Sequence, residues 1–244
     1  MQPLYVIPDI HGHADKLAHA LDLIEADGGP DAKIVFLGDY IDRGPDSKGV
    51  LQHLIDGHAA GRNWTFLKGN HDRLMAYFFA DPMLFDAQFL IGYSWFHERL
   101  GGIETLASYG VEVREGRRHS EVLAEARQAV PQSHLDFING LTLTHLAGEC
   151  LFVHAGIRPE VALERQIEQD LVWIREEFHD YRKPHPWLVV HGHTVVPQPT
   201  HYGNRINLDA GAGYGRPLAA AVIEGRDCWL LTDTGRAPIG KARD

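Results

Sequence analysis

The sequence predicts an α/β fold, and three observations carry that prediction. Short apolar runs rich in branched and aromatic side chains recur along the chain: Leu4-Tyr5-Val6-Ile7, Ile34-Val35-Phe36-Leu37, Trp64-Thr65-Phe66-Leu67, Cys150-Leu151-Phe152-Val153 and Trp187-Leu188-Val189-Val190. Runs of this length and composition read as buried strands. Apolar residues at helical spacing follow the first two runs, with Ala14, Leu17, Leu21 and Ile24 on one stripe and Val50, Leu51, Leu54 and Ile55 on another. The order of strand, polar loop and helix repeats through the first third of the chain, which is the pattern of a sheet presenting its loops at one edge.

The elements follow in order. The first strand ends in Pro8-Asp9-Ile10-His11-Gly12-His13, and its helix stops at Gly28-Gly29-Pro30. The second strand runs into Gly38-Asp39-Tyr40-Ile41-Asp42-Arg43-Gly44, where two carboxylates and a guanidinium sit between glycines. Pro45 and Asp46 open the next helix, ended by Gly57 and Gly61, and the third strand leads into Lys68-Gly69-Asn70-His71-Asp72. Residues 75–145 are aromatic-rich and read as mostly helical, with helices expected at Glu121–Val130 and from Pro131 onward. Packing accounts for most of these aromatics, with a smaller share left to line a cleft. The fourth strand ends in His154-Ala155-Gly156, a helix is expected across Arg165–Phe178, and the fifth strand ends in His191-Gly192-His193. Arg205–Leu208 leads into Asp209-Ala210-Gly211, and the tail reads as a hairpin across Glu224-Gly225-Arg226-Asp227, which makes the sheet mixed. No repeat or clear linker interrupts the chain. One domain over 1–244 is expected, with a largely helical, cap-like insertion at about 75–145.

Composition excludes several function classes. The 244 residues are 44% hydrophobic and 23% charged, ordinary for a globular protein. A formal net charge of −10 argues against a broad nucleic-acid-binding face. No apolar run approaches the roughly 20 residues that span a bilayer, and no basic n-region follows Met1, so a cytoplasmic protein without a membrane partner is expected. Both cysteines, Cys150 and Cys228, lie in apolar runs and read as buried thiols, consistent with a reducing compartment.

Sixteen histidines are the unusual count. Five apolar runs end in Asp9/His11, Asp39/Asp42, Asn70/His71, His154 and His193. A histidine after one strand is ordinarily a satisfied loop or core residue, and an Asp in a loop is ordinarily a turn or cap. Five such coincidences point to one shared site. Nitrogen and oxygen donors without thiolate suit Mn, Fe, Zn or Mg rather than a soft metal.

The motifs Asp9-Ile10-His11-Gly12, Gly38-Asp39-Tyr40-Ile41-Asp42-Arg43-Gly44, Gly69-Asn70-His71-Asp72, His154-Ala155-Gly156 and His191-Gly192-His193 resemble those of the phosphoprotein phosphatase family of calcineurin-like metallophosphoesterases, in its bacterial and phage form. The resemblance runs from about Leu4 to about Gly215. It implies an α/β/β/α sandwich with mixed sheets and a di-metal site at the strand C-terminal ends, holding two divalent ions, Mn2+ first, with Fe, Zn, Mg or Co as alternatives. By that resemblance Asp9 and His11 hold one metal, Asp39 bridges, and Asn70, His154 and His193 hold the other. The ions would lie about 3.5–4 Å apart and activate a bridging hydroxide for direct attack on a phosphomonoester. His71 is the implied general acid. Asp42 is its hydrogen-bonded partner, expected to raise its pKa. Arg43 and Arg175, the latter in Leu171-Val172-Trp173-Ile174-Arg175, are the implied phosphate clamps. His13 and His191 stand beside ligands without being expected to ligate, and Asp209 and Tyr214 are expected near the cleft without a catalytic role.

The chain departs from the pattern in having Pro8 before the first Asp, and Asp72 where protein phosphatases have Glu. The implied activity is a metal-dependent phosphatase acting on small phosphoesters or on phosphoserine and phosphothreonine in proteins. The alternative is a symmetrical diadenosine tetraphosphate hydrolase, toward which Asp72 leans. A non-catalytic metal-binding module is the reading from another class.

Overall fold

The computed structural model describes residues 3–89 and 93–242. β1 (Leu4–Ile7), α1 (Ala14–Gly28), β2 (Ile34–Phe36), α2 (Ser47–Ala59), β3 (Trp64–Phe66) and α3 (Asn70–Phe79) alternate as the sequence predicts. β1, β2 and β3 pair in parallel, with Val6 opposite Val35 and Val35 opposite Thr65. Asp46 caps α2 by accepting from the Gly49 amide, which satisfies one of the donors a helix start leaves free. α2 runs on through Gly57 to Ala59 instead of ending at that glycine.

Residues 75–145 are less helical than expected. α4 (Gly102–Ser108), α5 (His119–Ala129) and α6 (Gln132–Gly140) are helical, whereas the described residues between α3 and α4 form turns and irregular chain. Pro82 cannot donate within a helix, and Asp86 accepts from the Gln88 amide to make a turn. α4 and α6 pack on α2, and α5 and α6 on α3. Phe78 and Trp95 join the core there, while Phe85 stays 64% exposed.

β4 (Thr144–Ala147), absent from the sequence reading, pairs antiparallel with β5 (Cys150–Val153). In place of one helix across Arg165–Phe178 there are two, α7 (Glu168–Trp173) and α8 (Glu176–His179). The backbone leaves the helix at Ile174, ψ 141°, so Arg175 stands at a corner. β6 (Leu188–His191), β7 (Thr200–His201) and β8 (Arg205–Asn207) follow, then the tail hairpin of β9 (Ala221–Glu224) and β10 (Asp227–Thr232), and finally β11 (Gly235–Pro238) and β12 (Gly240–Lys241).

The strands make two mixed six-stranded sheets, ordered β11-β10-β9-β1-β2-β3 and β12-β7-β8-β6-β5-β4. Side-chain alternation sorts the core into layers. Val6, Val35, Phe152 and Val190 pack between the sheets, with the buried free thiols Cys150 and Cys228 among them. Tyr5, Ile7 and Phe36 face the opposite way, toward α1 and α2, and Leu151, Val153 and Val189 pack with Leu171 and Phe178 of α7 and α8. The result is the expected α/β/β/α sandwich. Among the described residues no helix is long and apolar enough to cross a membrane.

Candidate active site

The loops leaving β1, β2, β3, β5 and β6 meet at one end of the sandwich. Six non-glycine residues among those described have positive φ, and five are here: His11 (49°), Asp39 (54°), Asp42 (73°), Arg43 (67°) and His193 (66°). Such backbones are uncommon outside glycine and cost on the order of 1–3 kcal/mol each. Hydrogen bonds between loops hold them. The Ile10 and His11 amides donate to the Asp39 carbonyl, Gly12 N–H to that of Tyr40, and Gly44 N–H to that of His11. His193 N–H donates to both Asp9 carboxylate oxygens at 3.1 Å.

Asp39 lies at the centre. Its Oδ1 accepts from the His71 amide at 2.9 Å, at the N-terminus of α3. Its Oδ2 lies 3.6 Å from His11 Nε2 and 3.5 Å from His154 Nε2. Two clusters share this carboxylate: His11, Asp39 and His71 on one side, Asp39, His154 and His193 on the other. Asn70 joins the second cluster, with Oδ1 3.1 Å from His154 Nε2. The second cluster therefore holds the four residues that the resemblance implied for one metal. Asp9 falls in neither cluster. It lies beside Asp39, near enough for its charge to oppose the ionisation of Asp39.

The donor chemistry fits divalent metal. His11 Nδ1 donates to the Ile41 carbonyl and His154 Nδ1 to the Leu37 carbonyl, each at 2.9 Å, which leaves both Nε2 lone pairs pointing into the site. His154 Nε2 thus faces other acceptors, and His193 Nε2 is buried without a partner. Convergent lone pairs and clustered acids are satisfied together by a cation. Burial, then Asp209, pushes Asp9 well above the usual carboxylate range. Burial, then Asp9 and Asp72, does the same to Asp39.

His71 Nδ1 lies 2.7 Å from Asp42 Oδ2, the expected pairing. The expected rise in the His71 pKa is not found. Burial, then the Arg43 and Arg175 guanidinium groups, hold the imidazole well below its ordinary value. Burial also pushes Asp42 up to about 7, against hydrogen bonds from Thr105 and Trp95. Arg43 lies within the centre: Nη1 donates to His11 Nε2 at 2.6 Å and Nη2 to His71 Nε2 at 3.1 Å, while the exposed Tyr214 ring stacks on its guanidinium at 4.6 Å. Arg175 is exposed. It donates to Thr194 Oγ1 at 3.1 Å, and its charge lowers the pKa of His71, His154 and His193.

Asp72 reads from the sequence only as a departure from the family pattern, and the roles of Trp95, Thr105 and Asp86 escape that reading. Asp72 accepts from the backbone amides of Asp39 (2.8 Å), Tyr40 (3.0 Å) and Gly69 (2.8 Å), tying the β2 and β3 loops together. Its place in the first turn of α3, where acids cap helices, was the available signal. Trp95 and Thr105 both donate to Asp42, and no local pattern marks them. Asp86 joins buried Arg73 to Trp173, whose ring meets that of His193 edge-on at 5.7 Å. His191 does not reach the clusters, and its Nε2 accepts from Arg205 Nη1 at 3.3 Å.

The calcineurin-like phosphoesterase family model matches residues 2–215. The asymmetrical bis(5'-nucleosyl)-tetraphosphatase PrpE of Bacillus velezensis is 26% identical over 236 residues, covering 87% of this chain and 86% of the relative. The symmetrical bis(5'-nucleosyl)-tetraphosphatase of Bordetella pertussis is 28% identical over 175 residues, covering 69% of this chain but 50% of the relative. A cold-active protein-tyrosine phosphatase of a psychrophilic Shewanella species shares the fold, with a TM-score of 0.62, 15% identity and coverage of 98% and 80%. With its two mixed sheets and paired His/Asp clusters, the chain belongs to the calcineurin-like phosphoesterase family of metal-dependent phosphoester hydrolases.

Proposed function

We propose that this phosphoesterase hydrolyses a bis(5'-nucleosyl) tetraphosphate through a two-metal centre. The observation that carries the chemistry is Asp39 Oδ2, within 3.6 Å of an imidazole nitrogen in each of two clusters, as a bridging ligand requires. The substrate class is supported by the near full-length match to the asymmetrical tetraphosphatase. Asp9, His11 and Asp39 would hold one ion, and Asp39, Asn70, His154 and His193 the other. We propose Mn2+ first, on the nitrogen and oxygen donor set. When bound, two such ions neutralise phosphoryl charge and acidify a water for in-line attack.

The chain's own groups do the rest. Arg43 and Arg175 bind phosphoryl oxygens, offsetting charge that grows in the transition state. His71, neutral with its hydrogen on Nδ1 in the resting site, takes up a proton at Nε2 as the phosphoryl dianion enters and offsets the arginine charge that lowers its pKa. It then gives that proton to the leaving oxygen, while Asp42 accepts from Nδ1–H and so holds the ring's orientation. No side chain is phosphorylated, and phosphorus inverts.

A second reading, a phosphoprotein phosphatase, is favoured by the exposure of Arg175 and of Tyr214 (63%), which leaves the mouth open to a large substrate. Metal-loaded protein is to be assayed side by side on diadenosine tetraphosphate, phosphoserine peptides and p-nitrophenyl phosphate. The tetraphosphate is expected to give the highest kcat/KM. A higher value for the peptides moves the assignment to the second reading, and no turnover with Mn2+, Co2+, Fe2+ or Zn2+ removes both.

A further inference from the structure

Three side-chain donors close on the Asp42 carboxylate. His71 Nδ1 (2.7 Å) and Trp95 Nε1 (2.8 Å) meet Oδ2, and Thr105 Oγ1 (2.6 Å) meets Oδ1. Thr105 Oγ1 also accepts from the Asp42 amide at 2.8 Å, bridging the residue's backbone to its own side chain. Trp95 is 4% exposed, and Thr105 and Asp42 are fully buried. Between Trp95 and Thr105 the chain touches the same loop a third time. Gly101, φ 93°, packs so closely that a side chain there would overlap the Arg43 amide. The stretch 95–105 therefore grips the two residues that partner His71 and phosphate.

Packing alone does not call for this chemistry. The Trp95 ring already packs on Phe78 at 5.3 Å and Phe96 at 5.7 Å, where a phenyl ring would serve. Valine would fill the volume of Thr105. Burying a hydroxyl and an indole N–H has a desolvation cost that their bonds to Asp42 must offset. Those bonds do something specific. Carboxylate rotation about Cβ–Cγ is soft, and a single partner would leave its plane loose. A donor on each oxygen, besides His71, fixes it.

We propose that Trp95 and Thr105 are positioning residues, which lock the Asp42 carboxylate so that the His71 ring stays aimed at the leaving oxygen. The proposal rests on His71 being the proton donor. The aromatic-rich segment before α4 is then part of the catalytic assembly as well as of the core.

The test uses Mn2+-loaded enzyme and two phosphomonoesters: an alkyl phosphate, whose leaving oxygen needs a proton, and p-nitrophenyl phosphate, whose leaving group does not. Trp95→Phe and Thr105→Val are expected to lower kcat for the alkyl ester about 10- to 100-fold, the usual range for losing an orienting partner. The aryl ester should change far less, with KM and bound Mn2+ unaltered, and Thr105→Ser should restore the alkyl rate. In metal-free protein, 15N NMR should show His71 as a single Nδ1–H tautomer in the wild type and as a mixture in the variants. Equal losses on both esters, or lost metal, would make the two residues structural supports and overturn the proposal. His71→Asn separates the two layers of the argument. If it shows no leaving-group dependence, the reading of His71 falls and the proposal with it. If it does and the other variants do not, the proposal alone fails. Should Thr105→Val not fold, Trp95→Phe decides.

Discussion

Gly69→Ala tests how tightly the bridging carboxylate is held. Gly69 has φ −93° and ψ 174°, a backbone alanine adopts freely, so any effect must be steric. The added carbon would overlap Asp39 Oδ1 and sit 2.5 Å from the Asp39 amide nitrogen and 2.8 Å from Asp39 Cγ. Ordinary contact between such atoms is about 3.5 Å or more, so the β2 and β3 loops must separate by roughly 1 Å. Overpacking of this kind costs about 1–3 kcal/mol. The same movement stretches the bonds from His71 N–H to Asp39 and from Gly69 N–H to Asp72, now 2.9 and 2.8 Å. Charge-assisted bonds are worth about 1.5–3 kcal/mol each, so losing one brings the total to about 3–6 kcal/mol. At about 2–4 °C per kcal/mol for a chain of this size, Tm should fall by about 6–24 °C. A displacement of this size at the metal bridge should also lower kcat about 100-fold. Calorimetry and metal analysis on the same sample check both parts. A Tm within about 2 °C of wild type, with full metal content, would refute the argument.

The remaining predictions concern ligation and pH. Asp39→Asn should lose bound metal in elemental analysis, whereas Asp42→Asn should keep it and lose turnover. If Asp42→Asn emptied the site, that division of roles would be wrong. His179, partly buried against Arg205 and stacked on His191, has its pKa lowered to about 4. Between that value and the ordinary 6.5 or so of an unfolded histidine, the unfolded chain holds the extra proton, so stability rises with pH across this window and is lost as pH falls toward 4. The full shift corresponds to about 3 kcal/mol, which partial exposure reduces to about 1–2 kcal/mol. Urea unfolding at pH 4.5 and pH 7 should therefore show a smaller pH difference for His179→Gln than for wild type. An unchanged difference would exclude the residue as a source.

What the sequence revealed was what is local. A buried run followed by a polar loop is a pattern within ten residues, so β1, β2, β3, β5 and β6 were legible together with Asp39, Asn70, His154 and His193 at their ends. β12 exists only through pairing with the distant β7, and at two residues each neither strand leaves a trace in periodicity. The break at Ile174 was hidden because the apolar spacing of Leu171, Ile174 and Phe178 continues across it. Trp95 and Thr105 stand 53 and 63 residues from the Asp42 they hold, so only folding brings them into view. The direction of the His71 shift was misjudged for a related reason. A neighbouring carboxylate is visible in a motif, but the depth of burial that outweighs it is not.

The left-handed backbones at His11, Asp39 and His193 have a consequence for which substitutions the site can accept. Aspartate, asparagine and histidine are the side-chain-bearing residues that tolerate this conformation best, and they are also good hard-to-borderline metal donors. At these three positions the chain geometry and the coordination chemistry select from nearly the same small alphabet. Glutamate is an able donor that the backbone disfavours, and β-branched residues are refused before any ion is considered. A randomised library at these positions would therefore be thinned twice, first by peptide sterics at folding and then by the metal at turnover.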